Sequence, residues 1–185
     1  RIGYAESTDG STMDIASKPV LFPSEDNAKD LDWTGGCEDP RVARTEDGLY
    51  VMMYTSWNHS KARLCVATSR DLKNWEKHGC AFTDAYGGRY FDIWSKSASI
   101  VTKVNKKDEL VIEKFDDKYL MYWGESFVNL ATSTDLIHWT PMLTSDGKLL
   151  HVMDTRKGYF DSQLVEAGLA TEEKSPEDEF HVSDL

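Results

Sequence analysis

An all-β fold follows from three features of this 185-residue sequence. No segment carries the 3.6-residue apolar spacing of a long helix. Short runs dense in Tyr, Val, Met and Thr alternate with clusters of Ser, Asp, Asn and Gly, the pattern of strands joined by tight turns. One turn sequence also returns: Ala67-Thr68-Ser69-Arg70-Asp71-Leu72-Lys73-Asn74-Trp75 reappears 64 residues later as Ala131-Thr132-Ser133-Thr134-Asp135-Leu136-Ile137-His138-Trp139.

Taken in chain order, Ala5-Glu6-Ser7-Thr8-Asp9-Gly10 is a weaker copy of that turn, 62 residues ahead of the first full one. Ser/Thr and Asp side chains accept hydrogen bonds from backbone N–H groups two or three residues on, which closes a turn, and the later Trp is free to pack over it. Leu49 to Thr55 is a strand, entered through the Asp47-Gly48 turn, and Arg63 to Thr68 is the next, leading into the repeated turn. Ala98 to Thr102 adds another strand, followed by a charged connection from Lys103 to Glu109. Lys118 to Gly124, entered through Asp116-Asp117, repeats the Leu49 to Thr55 strand, and Phe127 to Thr132 repeats its partner.

Repeats of this length, each built from several antiparallel strands, are the sequence pattern of propeller blades. We expect a single domain over 1–185 with blade-sized repeats near 1–60, 61–125 and 126–170 and an acidic tail or loop at 171–185. Five such blades need roughly 300 residues, so the chain is expected to hold about three blades of a five-bladed propeller. Open strand edges on such a wedge invite association, including a homo-oligomer.

The formal charge of −11, from 32 acidic against 21 basic residues, repels phosphate backbones and argues against a nucleic-acid partner. No run of 18 apolar residues occurs, so no membrane span is expected. Cys37, Cys65 and Cys80 are odd in number and lack zinc or CxxC spacing, which reads as reduced, buried thiols of a cytoplasmic protein. No HExxH, EF-hand or glycine-rich nucleotide motif calls for a metal or organic cofactor.

The densest chemistry lies in Gly35-Gly36-Cys37-Glu38-Asp39-Pro40-Arg41, too polar and too stiff to serve a core. Pro40 is expected to hold Asp39 extended, fixing the reach of a general acid. Arg41, two residues on, shares its face and is read either as a contact to substrate or as a structural salt bridge. This motif and the strand after it, with Trp94-Ser95-Lys96-Ser97-Ala98, Met121-Tyr122-Trp123-Gly124-Glu125 and Gly158 to Glu166, resemble glycoside hydrolase family 130, whose members are mostly mannoside phosphorylases on a five-bladed propeller. The mannosylglucose phosphorylase branch is the part of the family the chain resembles most.

The resemblance implies an inverting phosphorolysis of a β-1,4-mannoside such as mannosyl-glucose, giving α-mannose 1-phosphate and a free sugar. It makes Asp39 the proton donor, acting through the 3-hydroxyl of the mannosyl unit, with a mannose-containing oligosaccharide and inorganic phosphate as the partners. Phosphorolysis needs one acid and an anion cradle, whereas an inverting hydrolase needs a second carboxylate about 6.5–9.5 Å away to activate water. Cradle candidates are Arg63, Arg89, Lys96 and His59; candidates for binding sugar are Arg41, Trp57, Asn58, Glu125 and Asp161. Ser126 departs from the histidine that some phosphorylases of the family carry at this point, and Glu125 beside it is the candidate base of a β-mannoside hydrolase. A noncatalytic carbohydrate-binding propeller is the third reading. Asp71 and Asp135 recur with the turns and are read as structural.

Overall fold

Local turn chemistry sets the frame of the chain. In the computed structural model, which describes residues 1–168, the three copies of the turn share one hydrogen-bond pattern. Ser69 Oγ accepts from the N–H groups of Asp71 and Leu72, and Asp71 Oδ1 accepts from those of Lys73 and Asn74. Ser133 and Asp135 do the same for Asp135 to His138, and Ser7 and Asp9 for Asp9 to Thr12. The residue after each Asp takes positive φ: Gly10 at 73°, Leu72 at 63° and Leu136 at 70°. In the two full copies the indole N–H of Trp75 or Trp139 donates to the carbonyl of that leucine, closing the turn beneath the ring.

The first such turn joins β1 (Ala5–Glu6) to β2 (Asp14–Ile15) as a short ribbon. A single-turn helix, α1 (Lys29–Asp32), precedes the first large sheet. That sheet runs in order through β3 (Gly36–Arg44), β4 (Tyr50–Trp57), β5 (Ala62–Ser69) and β6 (Glu76–Cys80), all antiparallel. The central strand β4 is buried on both faces from Val51 to Ser56, as a strand enclosed by further layers must be. Lys77 on β6 ties the N-terminal segment to this sheet: its ammonium donates to the Phe22 carbonyl at 2.8 Å and pairs with Asp32 at 2.6 Å and Asp26 at 3.0 Å.

The second sheet starts with β7 (Ser99–Ile100). A ribbon then intervenes, β8 (Thr102–Val104) paired with β9 (Leu110–Ile112). The charged stretch Lys103 to Glu109, expected as a plain connection, is thus partly strand, with Asn105 Oδ1 closing its turn. The sheet continues with β10 (Tyr119–Trp123), β11 (Phe127–Ser133) and β12 (Thr140–Pro141), in the order β12-β11-β10-β7, and β13 (His151–Asp154) also pairs with β11. The Asp116-Asp117 turn is a two-residue hairpin with both residues at positive φ, 43° and 64°.

One core spans both sheets. Phe82, at the end of the first, packs on Trp123 of the second with ring centroids 4.8 Å apart, and the Trp139 N–H donates to the Ala81 carbonyl at 2.8 Å. Val101, Phe115, Leu120 and Leu130 form a smaller cluster on the far side of β10 and β11. Cys37, Cys65 and Cys80 are free and buried, and burial, with Asp32 beside it, pushes the Cys37 thiol up to about 12. The described residues therefore make sheets of four and five strands with two ribbons, without closing into a ring. The first sheet runs across position 60, where the sequence divides its first two repeats. The expected acidic tail at 171–185 lies outside the described residues.

Candidate active site

Asp39 stands at a break in β3. Glu38 pairs with Thr55 and Arg41 with Met53, so Asp39 and Pro40 together face Tyr54 alone, a bulge in the ladder. Proline has no N–H to give the ladder, and a bulge is where a strand accommodates it. The backbone at Asp39 is left-handed, with φ at 48°, which corrects the extended geometry expected from Pro40. Aspartate is among the few side chains that tolerate this region. Exposure still alternates through the bulge: Glu38 faces solvent while Asp39 and Arg41 are both half-buried.

Lys96 faces Asp39. Its segment is docked from two directions: Ser95 Oγ accepts the Leu64 N–H at 2.9 Å, and the Lys96 carbonyl accepts the Gly124 N–H at 2.9 Å. Gly124 has φ at 120°, and a Cβ there would lie 2.0 Å from the Phe127 carbonyl oxygen, so only glycine fits. This kink after β10 turns Glu125 toward Lys96. Lys96 Nζ is 3.5 Å from Asp39 Oδ2 and 3.6 Å from Glu125 Oε2, which places those oxygens no farther apart than the two distances end to end, about 7 Å. Burial works against the charge on Lys96, but Asp39 and Glu125 outweigh it and raise its pKa, with Glu166 adding to the effect. No hydrogen bond among the described residues reaches Asp39 Oδ2, which is shielded from solvent.

Arg41 does not neutralise the Asp39 carboxylate. Its guanidinium donates to the Asp39 backbone carbonyl at 3.2 Å and to the Ala167 carbonyl at 3.3 Å, and lies 3.6 Å from Glu166. Arg41 thus forms a salt bridge, with Glu166 as partner. The segment carrying Glu166 is pinned beside the site by the Val165 N–H, which donates to the Glu125 carbonyl at 2.9 Å.

An aromatic wall stands next to Glu125. The Trp94 indole N–H donates to Glu125 Oε1 at 2.7 Å, and the Trp94 and Trp57 rings meet edge to face at 5.7 Å. Trp57 is wedged against Gly35, where a Cβ would lie 2.3 Å from its carbonyl oxygen and ring. His59, at positive φ on the hairpin tip, sits edge-on to Trp57 at 5.9 Å.

The structure thus brings Asp39, Arg41, Lys96 and Glu125 together, with Trp57 and His59 along one side. Other candidates have partners of their own. Asn58 caps its own turn, accepting from the Ser60 and Lys61 N–H groups and donating to the Asp30 carbonyl at 3.0 Å. Arg63 is paired with Asp92 and stacked over Phe91 at 5.0 Å. Arg89 is exposed over Tyr90 and lines a cleft with Thr144, Asp146, Lys148 and His151. Asp161 pairs with Arg156 at 2.7 Å through Oδ2, while its Oδ1 is shielded from solvent without a partner among the described residues. Trp94 and Glu166 are the residues sequence reasoning missed. Trp94 is two residues before Lys96, the spacing of a shared strand face; Glu166 ends the Gly158 to Glu166 motif, but its pairing with Arg41 arises only through the fold.

The sequence profile of a family described as beta-1,4-mannooligosaccharide phosphorylase matches residues 1–179. The chain belongs to glycoside hydrolase family 130. A curated relative, the 1,2-beta-oligomannan phosphorylase of Thermoanaerobacter sp. (strain X514), is 32% identical over 143 residues, which are 75% of this chain and 40% of the relative. The solved structure of a putative glycosidase from Bacteroides thetaiotaomicron VPI-5482 is 61% identical, with a TM-score of 0.88, over 91% of this chain and 48% of that one. Another, 52% identical with a TM-score of 0.88 over 91% of this chain and 46% of that one, was solved in connection with glycoside hydrolases of the GH130 family of mannoside phosphorylases that target beta-1,2 mannosidic linkages in Candida mannan. The chain therefore spans less than half the length of each of these relatives.

Proposed function

We propose that the chain carries the catalytic carboxylates of an inverting enzyme that cleaves β-mannosides, and that water is the acceptor. The observation that carries the reading is one lysine shared by two carboxylates. Asp39, Glu125 and Glu166 bring three negative charges, and Lys96 and Arg41 bring two positive ones. Arg63 and Arg89, the further arginines a phosphate cradle would draw on, are held at Asp92 and in the Thr144–His151 cleft. With Asp39 carrying the proton it donates, Glu125 and Glu166 balance Lys96 and Arg41, so the cluster offers a phosphate dianion no net positive charge.

In this reading Asp39 donates its proton to the departing glycosidic oxygen, through the 3-hydroxyl of the mannosyl unit as the family resemblance implies. Glu125 accepts a proton from the water that attacks the anomeric carbon from the opposite face, so a β-mannoside gives α-mannose and a free sugar. The two carboxylate oxygens lie at most about 7 Å apart, a limit that reaches the lower end of the spacing inversion through water uses. Lys96, 3.5 Å from Asp39 Oδ2 and 3.6 Å from Glu125 Oε2, holds the two carboxylates in place about the cleft.

The names of the 1,2-beta-oligomannan phosphorylase and of the hydrolases of beta-1,2 linkages support a β-1,2-mannoside as the bond cleaved; the family description supports a β-1,4-mannooligosaccharide. Phosphorolysis is the second reading, favoured by Lys96 and by the phosphorylase names of the curated relatives. A panel of β-1,2- and β-1,4-mannobiose and mannosyl-glucose, each incubated with the intact protein with and without phosphate, separates these readings by the sugar released. A part of a propeller, with further blades outside this chain, is the architecture we propose around the site.

A further inference from the structure

We infer that Trp94 is a positioning residue: its indole N–H fixes one oxygen of Glu125 so that the other, Oε2, faces the cleft as the proton acceptor. The inference deepens the reading of Glu125 as the base and rests on it. Trp94 is 49% exposed, too exposed for a core role to explain a residue of this size. Its indole N–H points at a carboxylate, Glu125 Oε1 at 2.7 Å, while Lys96 Nζ stands 3.6 Å from Oε2. A Glu side chain on a kinked turn has three free torsions, and a single lysine contact at that distance leaves the carboxylate plane undefined. The indole supplies the second point that defines it.

The indole is itself held. Trp57 meets it edge to face at 5.7 Å, and Trp57 is seated on Gly35, four residues before Asp39. The glycine pair ahead of the acid and the base across the cleft are therefore connected through two indoles packed edge to face, which holds the two carboxylates in one frame. Positional errors of about 1 Å in a reacting group can cost about 100-fold in rate, so the effect of losing this contact is large enough to measure.

The test is a double-mutant cycle on the intact protein, with Trp94→Phe and Glu125→Ala assayed on β-1,2-mannobiose and azide added to replace the missing carboxylate. Trp94→Phe keeps the ring and removes the donor. We expect it to lower kcat by about 10- to 100-fold with KM within about twofold, to leave the azide-rescued rate of Glu125→Ala unchanged when the two are combined, and not to respond to azide alone. Equal losses from Trp94→Phe in the presence and absence of Glu125, or a change confined to KM, overturn the positioning role while leaving Glu125 as base. Full activity in Glu125→Ala removes the base reading and the positioning role with it. The indole N–H resonance of Trp94 in a 1H–15N spectrum reads the contact without turnover: Glu125→Gln is expected to shift it, and an unshifted resonance contradicts the hydrogen bond.

Discussion

Asp39 joins a backbone requirement to a chemical one, and two substitutions separate them. Its φ of 48° lies where asparagine is tolerated and alanine costs about 1–2 kcal/mol. The ion pair to Lys96 is lost in both variants, so it does not separate them, and Lys96 retains Glu125 at 3.6 Å. Asp39→Ala is therefore expected to be less stable than Asp39→Asn by about 1–2 kcal/mol, or roughly 2–8 °C in thermal midpoint. Neither variant retains the acid, so both are expected to lose about 100- to 10,000-fold in kcat. Thermal unfolding followed by circular dichroism and initial rates of mannobiose cleavage check the two halves independently. Equal midpoints for the two variants refute the strain argument. A rate for Asp39→Asn above about a tenth of the parent refutes the acid.

Two other substitutions probe what surrounds the site. Gly124→Ala places a methyl group 2.0 Å from the Phe127 carbonyl oxygen at a φ of 120°, so it is expected to destabilise by more than about 2 kcal/mol and, by displacing Glu125, to lower kcat in the fraction that folds; urea titration with rate measurement checks both. Burial opposes ionisation of Asp135, but the His138 side chain and the N–H groups of His138 and Ile137 overcome it and hold the carboxyl at about 2, below its ordinary 3.8. The sign follows from that depression: the stabilisation is complete above the ordinary value and is lost as pH falls from about 3.8 toward about 2. Asp135→Asn is expected to flatten the thermal midpoint across that window, and a parent-like slope there contradicts the role of the turn.

Much of the strand framework was legible because its information is local. A Ser and an Asp two residues apart satisfy the N–H groups that follow them, so the turns at Ser69 and Ser133 announce themselves, and even the weak copy at Ser7 repeats the bonds. The Asp39 bulge was not legible, since the residue before a proline prefers extended geometry in isolation and only the register of β3 against β4 shows two residues facing one. The β8–β9 ribbon was hidden by its charged residues, which pair on the surface, Arg44 reaching Glu109 at 3.3 Å.

The site divided along the same line. Asp39, Lys96 and Glu125 came from motifs and were brought together by the fold. Asn58 carried a local reason to be structural, the amide bond to the backbone N–H groups two and three residues on, which is a turn signal of the kind read correctly at Asp71. Arg63 and Arg89 illustrate the opposite difficulty: a cation's partner is a long-range fact, and Asp92 lies 29 residues from Arg63. Trp94 was passed over because its role depends on where a kink at Gly124, thirty residues later, delivers a carboxylate.

Proton NMR of β-1,2-mannobiose cleavage by the intact protein, run with and without inorganic phosphate, bears most directly on the shared lysine and its two carboxylates. Free mannose, formed first as the α-anomer and at a rate independent of phosphate, is expected. Mannose 1-phosphate that accumulates only when phosphate is present contradicts water as the acceptor.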